Sequence, residues 1–120
     1  MRLKDKITLV TGAGNGLGEA IAKRFAQEGA FVVATDIDTA AVRRVVAEII
    51  EAGGSAEAAV QDVTQESVWG ELVAAVVEKH GRLDTLVNNA GIGIPANVEE
   101  ETLEGWRKTQ AVNMEGVFLG

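Results

Sequence analysis

The 120 residues predict an α/β fold built on a doubly wound parallel sheet, and three observations carry that expectation. Short apolar runs (Ile7–Val10, Phe31–Ala34, Ala56–Val60 and Leu83–Val87) alternate with longer segments of helical period. The first run turns through a cluster of glycines directly into a helical segment. Apolar residues make up 47% of the chain and aromatic ones only 4%, an Ala- and Val-rich composition that suits a sheet covered by helices on both faces.

Each element has a local cause. Ile7–Val10 reads as a buried strand, and Thr11 to Gly18 as a loop opening a helix, with Gly12 for the tight turn, Gly16 for close approach of a ligand to the backbone and Gly18 for helix packing. The second strand ends in Thr35-Asp36. Apolar positions 42, 45, 46, 49 and 50 then mark a helix between Thr39 and the stop at Gly53-Gly54, with Asp38 or Thr39 at its cap. The third strand runs into Gln61-Asp62-Val63. Thr64 is placed to cap a helix carrying Val68, Trp69, Leu72, Val73, Val76 and Val77, which His80-Gly81 closes. After the fourth strand, Asn88 to Gly91 reads as a loop and the stretch to Pro95 as mobile. Glu99, Glu100 and Glu101 suit the first turn of a helix running from about Thr102. Alternating strands and helices imply right-handed parallel crossovers, and with Rossmann topology the order is 3-2-1-4 within a single domain, 1–120.

In that order the chain reverses direction across the sheet between the first and fourth strands, where ligands of such sheets bind. Four segments meet there: Thr11 to Gly18, Asp36, Asp62-Val63 and Asn88 to Gly91. A strand turning through glycines into a helix presents unpaired N–H groups and a positive helix end to a pyrophosphate. Asp36, 20 residues after Gly16, stands where a Rossmann unit hydrogen-bonds the adenosine ribose. The plainer readings are a flexible Gly-rich turn and an Asp that caps the next helix, but Asp38 and Thr39 are better placed to cap. The net charge of −7 argues against nucleic acid and against an anionic membrane surface. The absence of cysteine excludes disulfides and fits a cytoplasmic protein, and no secretory or membrane-spanning segment is expected. No metal site is assigned. His80, the single histidine, falls in a last helical turn at the end opposite to the glycine loop, where its charge complements the helix dipole.

These residues resemble the N-terminal, cofactor-binding half of the short-chain dehydrogenase/reductase family, over essentially the whole chain. The family fingerprint T-G-x-x-x-G-x-G is matched by Thr11, Gly12, Gly16 and Gly18, and its N-N-A-G by Asn88, Asn89, Ala90 and Gly91. Asn15 stands where extended relatives carry glycine. The resemblance implies NAD as cofactor, held by Thr11, Gly12, Asn15, Gly16, Leu17, Gly18, Asp36, Ile37, Asp62, Val63, Asn89, Ala90 and Gly91, with Asp62-Val63 at the adenine. Asp36 would accept from free ribose hydroxyls and repel a 2′-phosphate, and neither Asn15 nor Ile37 is a cation that could offset that repulsion. The implied chemistry moves a hydride between the nicotinamide and the carbon of a secondary alcohol or ketone. A Tyr exchanges the proton, a Lys lowers that Tyr's pKa, and a Ser orients the substrate oxygen. Asn113 corresponds to the Asn of that catalytic set. A homo-oligomer formed through the helix near Thr102 is also implied.

One departure bears on activity. There is no tyrosine, and the serines Ser55 and Ser67 both fall on the adenine side of the fold. The sequence expectation is therefore a chain truncated at Gly120, inactive alone, with Asn113 left as a helix packing residue. A non-catalytic dinucleotide-binding module is the alternative. A methyltransferase-like nucleotide binder is disfavoured by Asn88–Gly91 together with Thr11-Gly12. Ile92 to Val98, the only substrate-side segment, is too generic to name a substrate.

Overall fold

The computed structural model describes residues 1–92 and 96–120. Four strands, β1 (Ile7–Val10), β2 (Phe31–Asp36), β3 (Ser55–Val60) and β4 (Thr85–Val87), pair in parallel in the order β3-β2-β1-β4, as the alternation predicts. Helices α1 (Gly16–Gln27), α2 (Thr39–Glu51) and α3 (Glu66–His80) connect them. Alternate side chains of the central strands serve opposite faces. Val10, Val32 and Ala34 pack with Ala22 and Ala26 of α1 and with Val42, Val45, Val46 and Ile49 of α2. Leu9 and Val33 face Val76 of α3. No helix among the described residues is long and apolar enough to cross a membrane.

Several boundaries differ from expectation, each because a side chain takes a backbone hydrogen bond. The fourth strand starts at Thr85 rather than Leu83. Ile7 N–H donates to Asp84 Oδ2 at 2.8 Å, so a carboxylate stands where a ladder carbonyl was expected. That bond, with Arg82 Nε on the same oxygen at 2.9 Å, holds the Asp84 carboxyl below its ordinary range. Thr64 does not cap α3, whose N-cap is Gln65 without a side-chain bond. The Thr64 N–H and hydroxyl both donate to Asp62 Oδ1, at 2.9 and 2.7 Å. Glu99 to Glu101 form no helical turn of α4. Asn97 Oδ1 instead accepts from Glu99 and Glu100 N–H, at 3.0 and 2.9 Å, and closes a separate turn.

Helix α4 (Leu103–Gln110) begins where expected, Thr102 Oγ1 accepting from Gly105 N–H at 2.9 Å. It then widens into a π-type stretch, Ala111–Glu115, before a last turn, α5 (Gly116–Leu119). The expectation of mobility up to Pro95 falls in part on residues 93–95, outside the described residues. At the amino ends of the strands, His80 lies against Phe31 with ring centroids 4.3 Å apart, far from the glycine loop as expected.

Candidate functional site

A cleft of about 620 Å³ opens at the carboxyl ends of the strands. The β1–α1 loop contributes Gly12 and Asn15 to it, the first turn of α1 Leu17, the end of β2 Asp36 with Ile37 just beyond, and the segment after β3 Asp62 and Val63. Asn89, Ala90 and Gly91 line it from beyond β4. The four segments singled out in the sequence thus share one cavity. Leu17 and Ile37 are 72% and 69% exposed, which leaves two apolar side chains on the cleft surface for a flat apolar ligand group to cover.

The loop's local structure follows from its glycines. Gly16 has φ +55 and no atom within 4 Å of where a Cβ would stand, so its backbone faces open space. Gly18 is the reverse case: a Cβ there would overlap the Gly12 carbonyl and the Asn89 side chain. Asn15 holds the N-cap position of α1 with extended backbone and makes no side-chain cap bond. By contrast, Asp38 Oδ1 caps α2 through Ala41 N–H at 3.0 Å, and Thr102 caps α4. Among the described residues no side chain caps the positive end of this 12-residue helix beside the cleft. An open backbone at Gly16 together with uncapped helix N–H groups fits a pyrophosphate.

Asp36 is oriented rather than free. Its Oδ2 accepts from Gly14 N–H at 2.8 Å and its Oδ1 from Asp38 N–H at 3.0 Å, which leaves further lone pairs on both oxygens. Asp62 uses Oδ1 on Thr64, and Oδ2 has no partner among the described residues. Trp69 Nε1 donates to Val63 O at 2.9 Å and so ties this wall to α3. Thr11 is 1% exposed and sits behind the cleft rather than in it. Its Oγ1 accepts from Asn89 and Ala90 N–H at 3.1 and 3.0 Å, while Asn89 Nδ2 donates to Gly12 O at 3.2 Å. The two motifs are thereby fastened to each other.

Asn113 is exposed and does not pack between helices as expected. It lies in the π-type stretch, where its Oδ1 accepts from Ile92 N–H at 2.8 Å and its Nδ2 donates to Ile92 O at 2.9 Å. It latches the chain just beyond Gly91 to the helix, and widened turns of this kind recur at functional sites.

Gln61, Thr64, Ile92, Lys108, Ala111 and Val112 also line the cleft, and none of them is among the cofactor-binding residues the sequence implies. Gln61 is 3% exposed. Its Oε1 accepts from Thr35 Oγ1 at 2.8 Å, and its Nε2 has no partner among the described residues. Gln61, Thr64 and Ile92 adjoin the segments Asp62-Val63 and Asn88–Gly91, whereas Lys108, Ala111 and Val112 reach the cleft only through the fold. Gly14 was also passed over. A Cβ there would lie 2.8 Å from Asp36 Oδ2 and 2.9 Å from the Ala41 Cβ, so only glycine lets the loop lie flat on the β2–α2 turn.

Comparison with known proteins places this geometry. The family model described as short chain dehydrogenase matches residues 6–120. A 2,5-dichloro-2,5-cyclohexadiene-1,4-diol dehydrogenase of Sphingobium indicum is 50% identical over 119 residues, which cover 99% of this chain and 48% of that protein. A meso-2,3-butanediol dehydrogenase of Serratia marcescens is 41% identical over 119 residues, 99% of this chain and 47% of its own length. Among solved structures, a metagenomic short-chain oxidoreductase in complex with NADP superposes with a TM-score of 0.92 at 36% identity, covering 99% of this chain and 54% of that one. The chain spans about half the length of the curated relatives it matches.

Proposed function

The chain belongs to the short-chain dehydrogenase family of oxidoreductases, and from that premise we propose that it is the NAD-binding half of an enzyme acting on a secondary alcohol or its ketone. The observation that carries the proposal is the meeting of the glycine loop, Asp36, Asp62-Val63 and Asn89–Gly91 in one cleft. Open backbone at Gly16 and the uncapped start of α1 bind the pyrophosphate. Asp36 accepts hydrogen bonds from the ribose hydroxyls, and its orientation by Gly14 and Asp38 is already set before the cofactor arrives. Asp62, whose Oδ2 has no partner among the described residues, and Val63 receive the adenine. When bound, the nicotinamide supplies a hydride acceptor or donor. Asn113 holds Ile92 and is the one member of the family's catalytic set in these residues, which contain no tyrosine. By this reading the 120 residues alone bind cofactor and turn over nothing.

Two relatives named for diols support a secondary alcohol as the substrate class. The apolar side chains of Leu103, Trp106 and Phe118, exposed along α4 and α5, support a homo-oligomer, and the cytoplasm is the proposed location. NADP is the competing cofactor, favoured by the NADP-bound neighbour and by Lys108 in the cleft wall. Calorimetric titration of the purified protein with NADH and NADPH decides between them. We expect NADH to bind at least tenfold more tightly and Asp36→Ala to narrow that gap, since an Asp facing a 2′-phosphate adds like-charge repulsion (about 1.4 kcal/mol per tenfold). Equal or tighter binding of NADPH by the unmutated protein would overturn the NAD assignment.

A further inference from the structure

Helices α1 and α2 are joined beside the cleft by four charged side chains, and one of them reaches the glycine loop. Arg44 Nη2 donates to Glu19 Oε1 at 2.7 Å and to Gly14 O at 3.1 Å, while its Nη1 donates to Glu48 Oε2 at 3.1 Å. Lys23 pairs with the same two carboxylates, Glu19 and Glu48, but makes no bond to the loop. Gly14 is thus gripped on both sides. Its carbonyl, in the peptide shared with Asn15, takes Arg44, and its N–H, in the peptide shared with Ala13, goes to Asp36 Oδ2 at 2.8 Å.

We propose that Arg44 is a positioning residue for the cofactor site, transmitting the fixed geometry of the α1–α2 ion-pair cluster through the Gly14 peptide to the loop and to Asp36. The inference rests on the reading of the cleft as a dinucleotide site, and it adds a residue outside the cleft and outside the loop motif. A guanidinium suits this task because its planar fork bonds two carboxylates and a carbonyl at once, whereas an ammonium is a single point charge. The carboxylates serve as anchors. Glu19, beside Arg44 and Lys23, has its pKa lowered to about 2, first by the Arg44 hydrogen bond and then by the Lys23 one, and so stays charged near neutrality. Arg44 is thereby held against the Gly14 carbonyl by two carboxylates. Held in this way, the Gly14 peptides cannot rotate, and the loop N–H groups and the Asp36 carboxylate keep the spacing that pyrophosphate and ribose require.

The test compares Arg44→Met with Lys23→Met. Both remove one cation from the same pair of carboxylates, and only the first removes a bond to the loop. In Arg44→Met we expect NADH and AMP to bind about tenfold more weakly, the loss of one charge-assisted hydrogen bond, and amide exchange at Gly14 and Asn15 to quicken by a similar factor without ligand. Lys23→Met should leave both readouts at the level of the unmutated protein. Arg44→Lys should recover part of the lost affinity, since an ammonium can hold Glu19 or the Gly14 carbonyl but not both in the same geometry. Unchanged exchange at Gly14 and Asn15 in Arg44→Met, or an equal change in Lys23→Met, overturns the positioning role. Failure of the unmutated protein to bind NADH or AMP instead overturns the cofactor reading, and the exchange comparison without ligand still decides the role of Arg44.

Discussion

The two faces of the sheet are held in different ways, and the cleft takes one wall from each. On the α1–α2 face, Val10, Val32, Val42 and Val45 are wholly buried and Ile49 is 3% exposed, so the glycine loop and Asp36 stand on a closed apolar core. On the other face, among the described residues, Leu9, Val33 and Val76 form a smaller buried cluster, Trp69 and Val63 are buried apart from it, and α4 contributes no buried residue. There the cleft wall depends on polar latches: Thr11 to Asn89 and Ala90, Trp69 to Val63, and Asn113 to Ile92. Burial fixes the first wall, and directed hydrogen bonds fix the second. A cleft divided in this way has one wall set by packing, while its other wall answers to single polar substitutions.

The first way to break that contrast is to open the core of the stronger face. Ile49→Ala should cost about 2–5 kcal/mol in urea unfolding, from lost transfer energy and a cavity beneath α2. Leu72→Ala, at a half-buried position on the weaker face, should cost distinctly less, because part of that side chain already meets water. Equal losses at the two sites would mean that the faces are packed alike.

A smaller effect, confined to the second wall, is expected from Thr11→Val. The shape is kept, but the Thr11 acceptor is lost: Asn89 N–H retains Val87 O at 3.0 Å, whereas Ala90 N–H is left without its partner, and one unsatisfied, partly buried donor costs about 1 kcal/mol. Hydrogen exchange should quicken at Asn89 and Ala90 and remain unchanged at Ala22 and Val45. Uniform acceleration across both faces would show that Thr11 acts on global stability and not as a latch.

The same division explains what the sequence made legible. The first wall is written locally: the β1 apolar run, the turn from it into α1 and the period of α2 lie within short windows, and of the two capping candidates, Asp38 and Thr39, Asp38 holds the cap. The strand order is the one that Rossmann topology gives to an alternation of strands and helices with right-handed crossovers. The second wall depends on choices between competing partners. The Thr64 hydroxyl goes to Asp62 instead of to a helix, Asp84 takes the Ile7 N–H, and Asn97 closes a turn ahead of α4. Five residues of π-type turn leave too little sequence for a change of period to register. Gln61 and Lys108 reach the cleft from segments 47 positions apart, and only the fold brings them to one cavity. Arg44 reads in sequence as one more charge on an exposed helix face. Its bond to Gly14, 30 positions away, emerges only when α1 and α2 are packed side by side.

The smallest expected effect concerns the charges that brace the first wall from outside its core. The Glu19 pKa is lowered from 4.5 to about 2 by Arg44 and Lys23, so the folded state binds its proton less readily than the unfolded chain does. The pairing therefore contributes its full stability above about pH 4.5 and loses it progressively as pH falls toward 2. Glu19 is only partly shielded, at 20% side-chain exposure, so Glu19→Gln should cost about 1 kcal/mol or less at pH 7 and low salt. Half-molar salt should reduce that difference, because exposed pairs are screened. Urea unfolding of the two proteins between pH 7 and pH 3 is the measurement. The curves should be separated at neutral pH and draw together below pH 4.5, as the carboxylate in the unmutated protein loses its advantage over the amide. A separation that stays constant across this range would show that Glu19 contributes through packing on α1. The first wall would then owe nothing measurable to charge, and its contrast with the second would rest on burial alone.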